Sequence, residues 1–174
     1  MSRITVLYDE ETIVKRIREM AEEINRDYNG EPVLVVGVLK GGVFFTCDLV
    51  KRLTLPVTMD FVSVSSYGSG TKSTGFLKFK KDVDEDVSGR HVLIAEDIID
   101  SGRTLTMLRK VFEEHGAKSV KTAVLLDKPA RREIKDARVE YTGFVIPDSF
   151  VVGYGLDFDQ KYRNLPYIGV IEEE

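Results

Sequence analysis

Three carboxylates, Glu96, Asp97 and Asp100, stand within five positions of one another, and the run Ser101-Gly102-Arg103-Thr104 follows at once. Upstream the chain is apolar (Val92-Leu93-Ile94-Ala95), and downstream Leu105, Leu108, Val111 and Phe112 recur at helical spacing. Strand, turn and helix in that order aim backbone N–H groups at one point, and a helix N-terminus of this kind is an anion site. Two hydroxyls and a guanidinium in the turn suit a phosphate held in a concave nest. The motif G-x-x-x-x-G-K-[ST] occurs nowhere, so the turn is not a nucleoside-triphosphate loop of that type. An ordinary βα turn capped by Ser or Thr would carry the same turn residues. Glu96 and Asp97 argue for more, because adjacent acids at the end of a buried strand sit where α/β sheets bind ligands. Unpaired carboxylates there are costly, so they call for hydroxyls, a cation or both.

Those groups need elements to hold them. Residues 9–25 read as an amphipathic helix with Asp9 as N-cap and Ile13, Ile17, Met20 and Ile24 on one face. Residues 32–39 are a valine-rich apolar run, as expected of a strand covered on both faces. Lys40-Gly41-Gly42 breaks it, residues 43–53 read as a second helix and residues 57–65 as a strand. Strand–helix–strand implies a right-handed crossover in a parallel sheet. Residues 76–79 form a further strand, and residues 82–86 are an acidic, solvated loop. Gly116 suits the C′ position of the central helix, and residues 119–126 are the next buried strand. Residues 139–170 hold short strands punctuated by Pro147, Gly153, Gly155 and Pro166, which predicts a small β-rich cap. The segment 65–75 has three glycines and six Ser or Thr residues among 11 positions, a composition typical of a functional loop.

With 174 residues, 43% hydrophobic and 31% charged, the chain is expected to form one globular domain. No apolar run approaches the roughly 18 residues of a membrane span, and the N-terminus lacks the apolar centre of a signal peptide. The single cysteine, Cys47, excludes an internal disulfide and favours a cytoplasmic setting; its place in a helical pattern predicts a buried small hydrophobe. A net charge of −4 gives no footprint for nucleic acid. His91 and His115 lack metal-ligand spacing, and Arg131-Arg132 suit either solvent or a neighbouring subunit.

The run from Ile94 to Thr104 resembles the phosphoribosyl-pyrophosphate (PRPP) signature of type I phosphoribosyltransferases. The likeness continues through Leu39-Lys40-Gly41-Gly42, Leu125-Leu126-Asp127-Lys128-Pro129, the stretch Ile146-Pro147-Asp148-Ser149-Phe150-Val151-Val152-Gly153-Tyr154-Gly155-Leu156-Asp157, and Tyr162-Arg163-Asn164-Leu165-Pro166-Tyr167-Ile168-Gly169. Together these resemble the bacterial hypoxanthine-guanine branch over nearly the whole chain. The resemblance implies an α/β fold, the type I phosphoribosyltransferase fold, with a central mostly parallel sheet flanked by helices and a small β-rich hood. It implies one domain over 1–174, the hood formed mainly by 139–174 with the N-terminus.

The implied reaction is purine salvage: Mg²⁺-dependent transfer of the 5-phosphoribosyl group from PRPP to hypoxanthine or guanine, giving IMP or GMP and pyrophosphate. By resemblance, Glu96 and Asp97 hold the ribose hydroxyls and Mg²⁺, and the segment Ile98, Asp100, Ser101, Gly102, Arg103 and Thr104 cradles the 5′-phosphate. Asp100 is the general base at purine N7. Lys128 donates to O6, Phe150 stacks on the ring, and Val151 reads the purine edge through its backbone. Asp157 binds a second Mg²⁺ on the pyrophosphate with Arg163 nearby, Lys40 and Gly41 contact the pyrophosphate, and Tyr67 closes over the site with its loop. The family often carries a cis peptide before the lysine, here Leu39–Lys40. An ammonium at position 128 suits an oxo group and opposes the amino group of adenine. Partners implied are PRPP and 6-oxopurine bases, no nucleic acid, no membrane, and a second copy of the chain in a homodimer or homotetramer. Two other readings stand beside this one: a xanthine-preferring enzyme of the same reaction type, and a PRPP-fold regulator that binds nucleic acid.

Overall fold

A computed structural model of the chain describes residues 3–66 and 77–172. Tyr67, assigned to the closing loop, lies outside the described residues. The elements in order are β1 (Arg3–Tyr8), α1 (Glu10–Tyr28), β2 (Val33–Leu39), α2 (Val43–Val50), β3 (Val57–Ser66), β4 (Leu77–Lys81), β5 (His91–Ile99), α3 (Arg103–Glu114), β6 (Ser119–Asp127), β7 (Tyr141–Val145), β8 (Val151–Val152) and β9 (Ile168–Glu172). A short 3₁₀ turn, Pro129–Arg131, follows β6.

Asp9 caps α1 by accepting the Thr12 N–H at 2.8 Å, and Ile13, Ile17, Met20 and Ile24 are buried as the spacing requires. The helix runs to Tyr28, beyond the expected residue 25, and ends where Asn29 turns left-handed with φ 46°. Conversely, α2 stops short of residue 53. The N–H groups of Arg52 and Leu53 bond three residues back, to Leu49 and Val50, which tightens and closes the last turn.

Six strands form the main sheet in the order β4-β3-β2-β5-β6-β7, parallel except for the antiparallel edge strand β4. Alternating residues of β2 serve two cores. Val33 and Val35 pack with α1 and α2 through Ile17, Phe45 and Leu49. Leu34, Val36 and Val38 pack on the other face with Leu105, Leu108 and Phe112 of α3. Each such buried aliphatic or aromatic side chain contributes about 1.5–3 kcal/mol.

The chain leaves β2 toward β3 on one side and leaves β5 toward β6 on the other. Adjacent strands whose connections diverge open a crevice at their C-terminal ends, which is where open α/β sheets bind ligands. The turns after β2 and β5 are therefore brought together by topology.

A second sheet, β1-β9-β8, is antiparallel and joins the N-terminal strand to the C-terminal segment. This is the β-rich hood, and its extent differs from the expectation. Residues 141–145 do not belong to it: β7 pairs in parallel with β6 as the sixth strand of the main sheet. No helix among the described residues is long and apolar enough to cross a membrane.

Candidate active site

The acids lie where strand ends and helix begins. Glu96 and Asp97 are still within β5, and Asp100 starts the turn into α3. A cleft of about 210 Å³ is lined by Glu96, Asp97, Ile98, Asp100, Ser101, Gly102 and Thr104, together with Ile99 and Leu105. Gly102 is the N-cap of α3 with φ 83°, a left-handed conformation that glycine adopts freely. A Cβ there would sit 2.8 Å from the Ala137 Cβ, so close packing also demands glycine. Of the expected phosphate-turn residues, Arg103 does not line this cleft; its guanidinium pairs with Glu133 at 2.5 Å.

Glu96 is buried and Asp100 exposed. Burial pushes the Glu96 carboxyl well above the ordinary carboxylate range, and the hydrogen bond and charge of neighbouring Asp97 push it the same way. The Asp97 N–H donates to Glu96 Oε1 at 3.3 Å, a partial compensation only. This pair of carboxylates is an electrostatic demand for a cation or for hydroxyl donors.

The Lys40-Gly41-Gly42 turn packs directly on that pair. The peptide between Leu39 and Lys40 is cis, as the resemblance implied. A Cβ on Gly41 would lie 2.1 Å from Asp97 Oδ2, and one on Gly42 would lie 2.6 Å from the Val38 carbonyl oxygen. From the other side, a Cβ on Gly155 of the hood would lie 2.1 Å from the Gly41 carbonyl oxygen. Glycine at these positions lets three segments touch by their backbones.

In the hood, Arg163 pairs with Asp157 at 3.3 Å and donates to the Gly155 carbonyl at 2.7 Å. Gln160 was not singled out by sequence, yet it joins this group. Its Oε1 accepts from Arg163 Nη2 at 3.1 Å and from Lys40 Nζ at 3.4 Å, and its N–H donates to Asp157 Oδ2 at 2.9 Å. An amide bridging two cations carries no motif, so only the fold could show it. Of the expected metal ligands, Glu96 and Asp97 are neighbours on β5, while Asp157 lies in the hood beside Arg163 and Gln160. Among the described residues no three His, Cys, Asp or Glu side chains converge on one point.

Lys128 follows β6, its N–H bonded to the Ile99 carbonyl at 2.9 Å, which sets it beside the end of β5. Phe150 is 52% exposed, with its ring edge-on to Phe158 at 5.7 Å between centroids. An aromatic face left this open is suited to stacking on a ligand. Val151 is buried in β8, paired with Val170 of β9.

Other expectations resolve locally. Cys47 is half-buried rather than fully buried. His91 bonds Ser119 at 2.6 Å and pairs with Glu31, and His115 Nδ1 meets the Val111 carbonyl at 2.7 Å. Arg131 pairs with Asp148 at 2.8 Å, whereas Arg132 pairs with Asp127 and donates to the Asp100 carbonyl at 3.0 Å.

Fold and cleft define a type I phosphoribosyltransferase, and residues 4–159 match the family model described as phosphoribosyl transferase domain; the chain belongs to that family. It is 48% identical over 174 residues to a hypoxanthine-guanine phosphoribosyltransferase of Streptococcus pneumoniae, covering all of this chain and 95% of that one. It is also 52% identical over 169 residues to a bifunctional protein TilS/HprT of Listeria monocytogenes, covering 97% of this chain but only 26% of the longer relative. Among solved structures, a hypoxanthine-guanine phosphoribosyltransferase of Bacillus anthracis superposes with a TM-score of 0.92 at 44% identity, over 99% of this chain and 100% of that one.

Proposed function

We propose that this chain is a purine-salvage enzyme that transfers the 5-phosphoribosyl group of PRPP to hypoxanthine or guanine, giving IMP or GMP and pyrophosphate. The observation that carries this reading is the convergence at one crevice of the Glu96–Thr104 cleft, the Lys40–Gly42 turn packed on Asp97, and Lys128 beside Ile99. That set offers acids for a ribose, N–H groups for a phosphate and a cation for an oxo group. The hypoxanthine-guanine names of relatives that share nearly the whole chain support the purine.

Glu96 and Asp97 accept from the ribose 2′- and 3′-hydroxyls, and their negative charge faces the positive charge that builds on the ribose as the anomeric C–O bond breaks. The N–H groups from Asp100 to Thr104 hold the 5′-phosphate at the start of α3. Lys40 and Arg163, steadied by Gln160, face the departing pyrophosphate. Asp100 takes the proton at purine N7, help worth roughly 10²–10⁴-fold. Lys128 holds O6, Phe150 covers the ring face, and Val151 offers its backbone to the purine edge. The donor set fits Mg²⁺, which takes one or two carboxylates and completes its shell with substrate phosphate oxygens. Glu96 and Asp97 would hold one such ion and Asp157 a second, supplying charge neutralisation for the leaving pyrophosphate. We assign residues 1–174 to one catalytic domain, acting in the cytoplasm as a homo-oligomer. Tyr67 and its loop we assign to exclusion of water, which would otherwise hydrolyse PRPP.

The test is a steady-state panel of hypoxanthine, guanine, xanthine and adenine with PRPP and Mg²⁺. Turnover of hypoxanthine or guanine is expected, and none of adenine. A dominant xanthine rate would move the protein to the xanthine-preferring class. Absence of any nucleotide product, with tight salt-sensitive RNA or DNA binding, would overturn the enzymatic reading.

A further inference from the structure

We infer that Arg132 is a positioning residue that locks the turn carrying Asp100 to the strand end carrying Lys128, fixing the two groups that read opposite parts of the purine; the inference rests on the function proposed above. Arg132 follows the 3₁₀ turn after β6, and its guanidinium faces two ways. Nε donates to the Asp100 carbonyl at 3.0 Å, and Nη2 pairs with the carboxylate of Asp127, the residue immediately before Lys128. The side chains of the pair are only 17% and 20% exposed, so the contact is shielded from solvent and salt. The arginine stem lies over Gly102, where a Cβ would approach Arg132 Cδ to 3.2 Å. The following residues brace the same turn, since the N–H groups of Glu133 and Ile134 both donate to the Ser101 carbonyl, at 3.0 and 2.9 Å.

The turn after β5 and the end of β6 share a backbone bond, Lys128 N–H to the Ile99 carbonyl, but that bond lies before Asp100. Beyond it the Asp100 peptide needs a second anchor, and Arg132 supplies one. A planar guanidinium can satisfy a carbonyl and a carboxylate in different directions at once, which an ammonium on a flexible stem does poorly. The carboxylate of Asp100 is aimed by its own peptide, so a peptide free to rotate no longer presents the base at N7. The phosphate-binding N–H groups retain the Glu133 and Ile134 braces. Purine chemistry is thereby expected to depend on Arg132 more than PRPP binding does.

The experiment compares Arg132→Ala, Arg132→Lys and Asp127→Asn with the unaltered protein, by steady-state kinetics, by PRPP affinity in Mg²⁺ from calorimetry, and by hydrogen exchange without ligand. A charge-assisted hydrogen bond of this kind converts to a loss of about 10- to 100-fold in kcat for Arg132→Ala. PRPP affinity should stay within about threefold, because the phosphate N–H groups are braced independently. Arg132→Lys should recover only part of the rate, and the amide of Lys128 should exchange faster in Arg132→Ala. A kcat near that of the unaltered protein, or parallel loss of kcat and PRPP affinity, would overturn the inference. If Arg132→Ala does not fold, Arg132→Lys and Asp127→Asn decide: unchanged kcat in both overturns it, and reduced kcat with intact PRPP affinity supports it. If the unaltered protein forms no nucleotide, the functional reading fails, and the exchange of Lys128 still judges the lock.

Discussion

Replacing Gly41 by alanine should disable PRPP use while leaving the fold standing. The added Cβ would meet Asp97 Oδ2 at 2.1 Å where ordinary contact begins at 3.4 Å, so about 1.3 Å must be found. The turn cannot retreat, because the Gly41 carbonyl is already against Gly155, where a Cβ would approach it to 2.1 Å. What can move is the end of the Asp97 side chain, which swings about its own torsions at little cost to the core. Stability should therefore change by less than about 1 kcal/mol beyond the usual glycine-to-alanine effect. Catalysis has no such latitude. A carboxylate assigned to ribose and Mg²⁺, displaced by about 1 Å, forfeits roughly 10²-fold. The assay is kcat/KM for PRPP across a Mg²⁺ titration, with thermal unfolding measured alongside. A variant with kcat/KM for PRPP near that of the unaltered protein would refute the placement of Asp97 in the reaction. A variant that unfolds at assay temperature would refute the claim that Asp97 absorbs the clash.

Asp100→Asn removes the proposed base without changing shape; kcat should fall roughly 10²–10⁴-fold with PRPP affinity nearly constant, and near-normal turnover would exclude Asp100 from proton transfer. Lys128→Ala removes the donor for O6, so the preference for hypoxanthine over adenine should shrink by an order of magnitude or more, and an unchanged ratio in competition assays would refute the assignment. Arg109 and Glu140 form a bidentate pair at 2.8 and 2.9 Å beneath α3, with side chains 9% and 21% exposed. Arg109→Ala leaves Glu140 with the Thr122 N–H and the exposed Arg138 guanidinium at 3.9 Å, a poor replacement for the bidentate contact, and should cost about 3 kcal/mol in urea unfolding at neutral pH. Burial of Glu140 opposes its charge, but the bonds from Arg109 and the Thr122 N–H outweigh it and hold its carboxyl below the ordinary range. Its stabilisation is therefore complete above the unfolded carboxylate pKa of about 4.3 and is lost as pH falls through the lower folded value. Glu140→Gln should flatten the acid limb of the stability curve below about pH 4, and an unchanged limb would show that other carboxylates dominate it.

Residue pattern carried the sheet and the site because both rest on local rules. A run of consecutive apolar residues calls for cover on both faces, and β2, Val92 to Ala95 of β5 and Ala123 to Leu126 of β6 are such runs; acids ending β5 followed by small residues mark a ligand turn in the sequence itself. The edge strand β7 was misplaced for the opposite reason. Its sequence Tyr-Thr-Gly-Phe-Val buries only Tyr141, and the reason for Gly143, a Cβ that would meet the Leu125 carbonyl of neighbouring β6 at 2.4 Å, is visible only once the two strands are paired. Gln160 carries no signal, and Arg132 reads in sequence only as facing solvent or a neighbouring subunit, because each bridges groups from separate segments: Lys40 is 120 residues from Gln160, and the Asp100 carbonyl is 32 residues from Arg132. Spacing rules register neighbours along one element. They are blind to partners that only tertiary folding supplies.

The distribution of charge argues that strand ends and hood form one site. The acids Glu96 and Asp97 project from the main sheet, while Lys40 and the Arg163–Gln160–Asp157 group are gathered toward the hood. Neither half is balanced alone: Glu96 is buried with the Asp97 carboxylate beside it, and in the hood Asp157 pairs with Arg163 at 3.3 Å while Lys40 meets the neutral amide of Gln160 at 3.4 Å. A ligand that resolves both presents hydroxyls or a bound metal at one end and polyanionic oxygen at the other. PRPP complexed with Mg²⁺ has that form, and a monoanion without hydroxyls does not. Pyrophosphate alone should therefore bind weakly without Mg²⁺, and its affinity should rise steeply as Mg²⁺ is added. Calorimetric titration reads this directly; Mg²⁺-independent binding would mean that the cations of the hood act without the acids of the sheet.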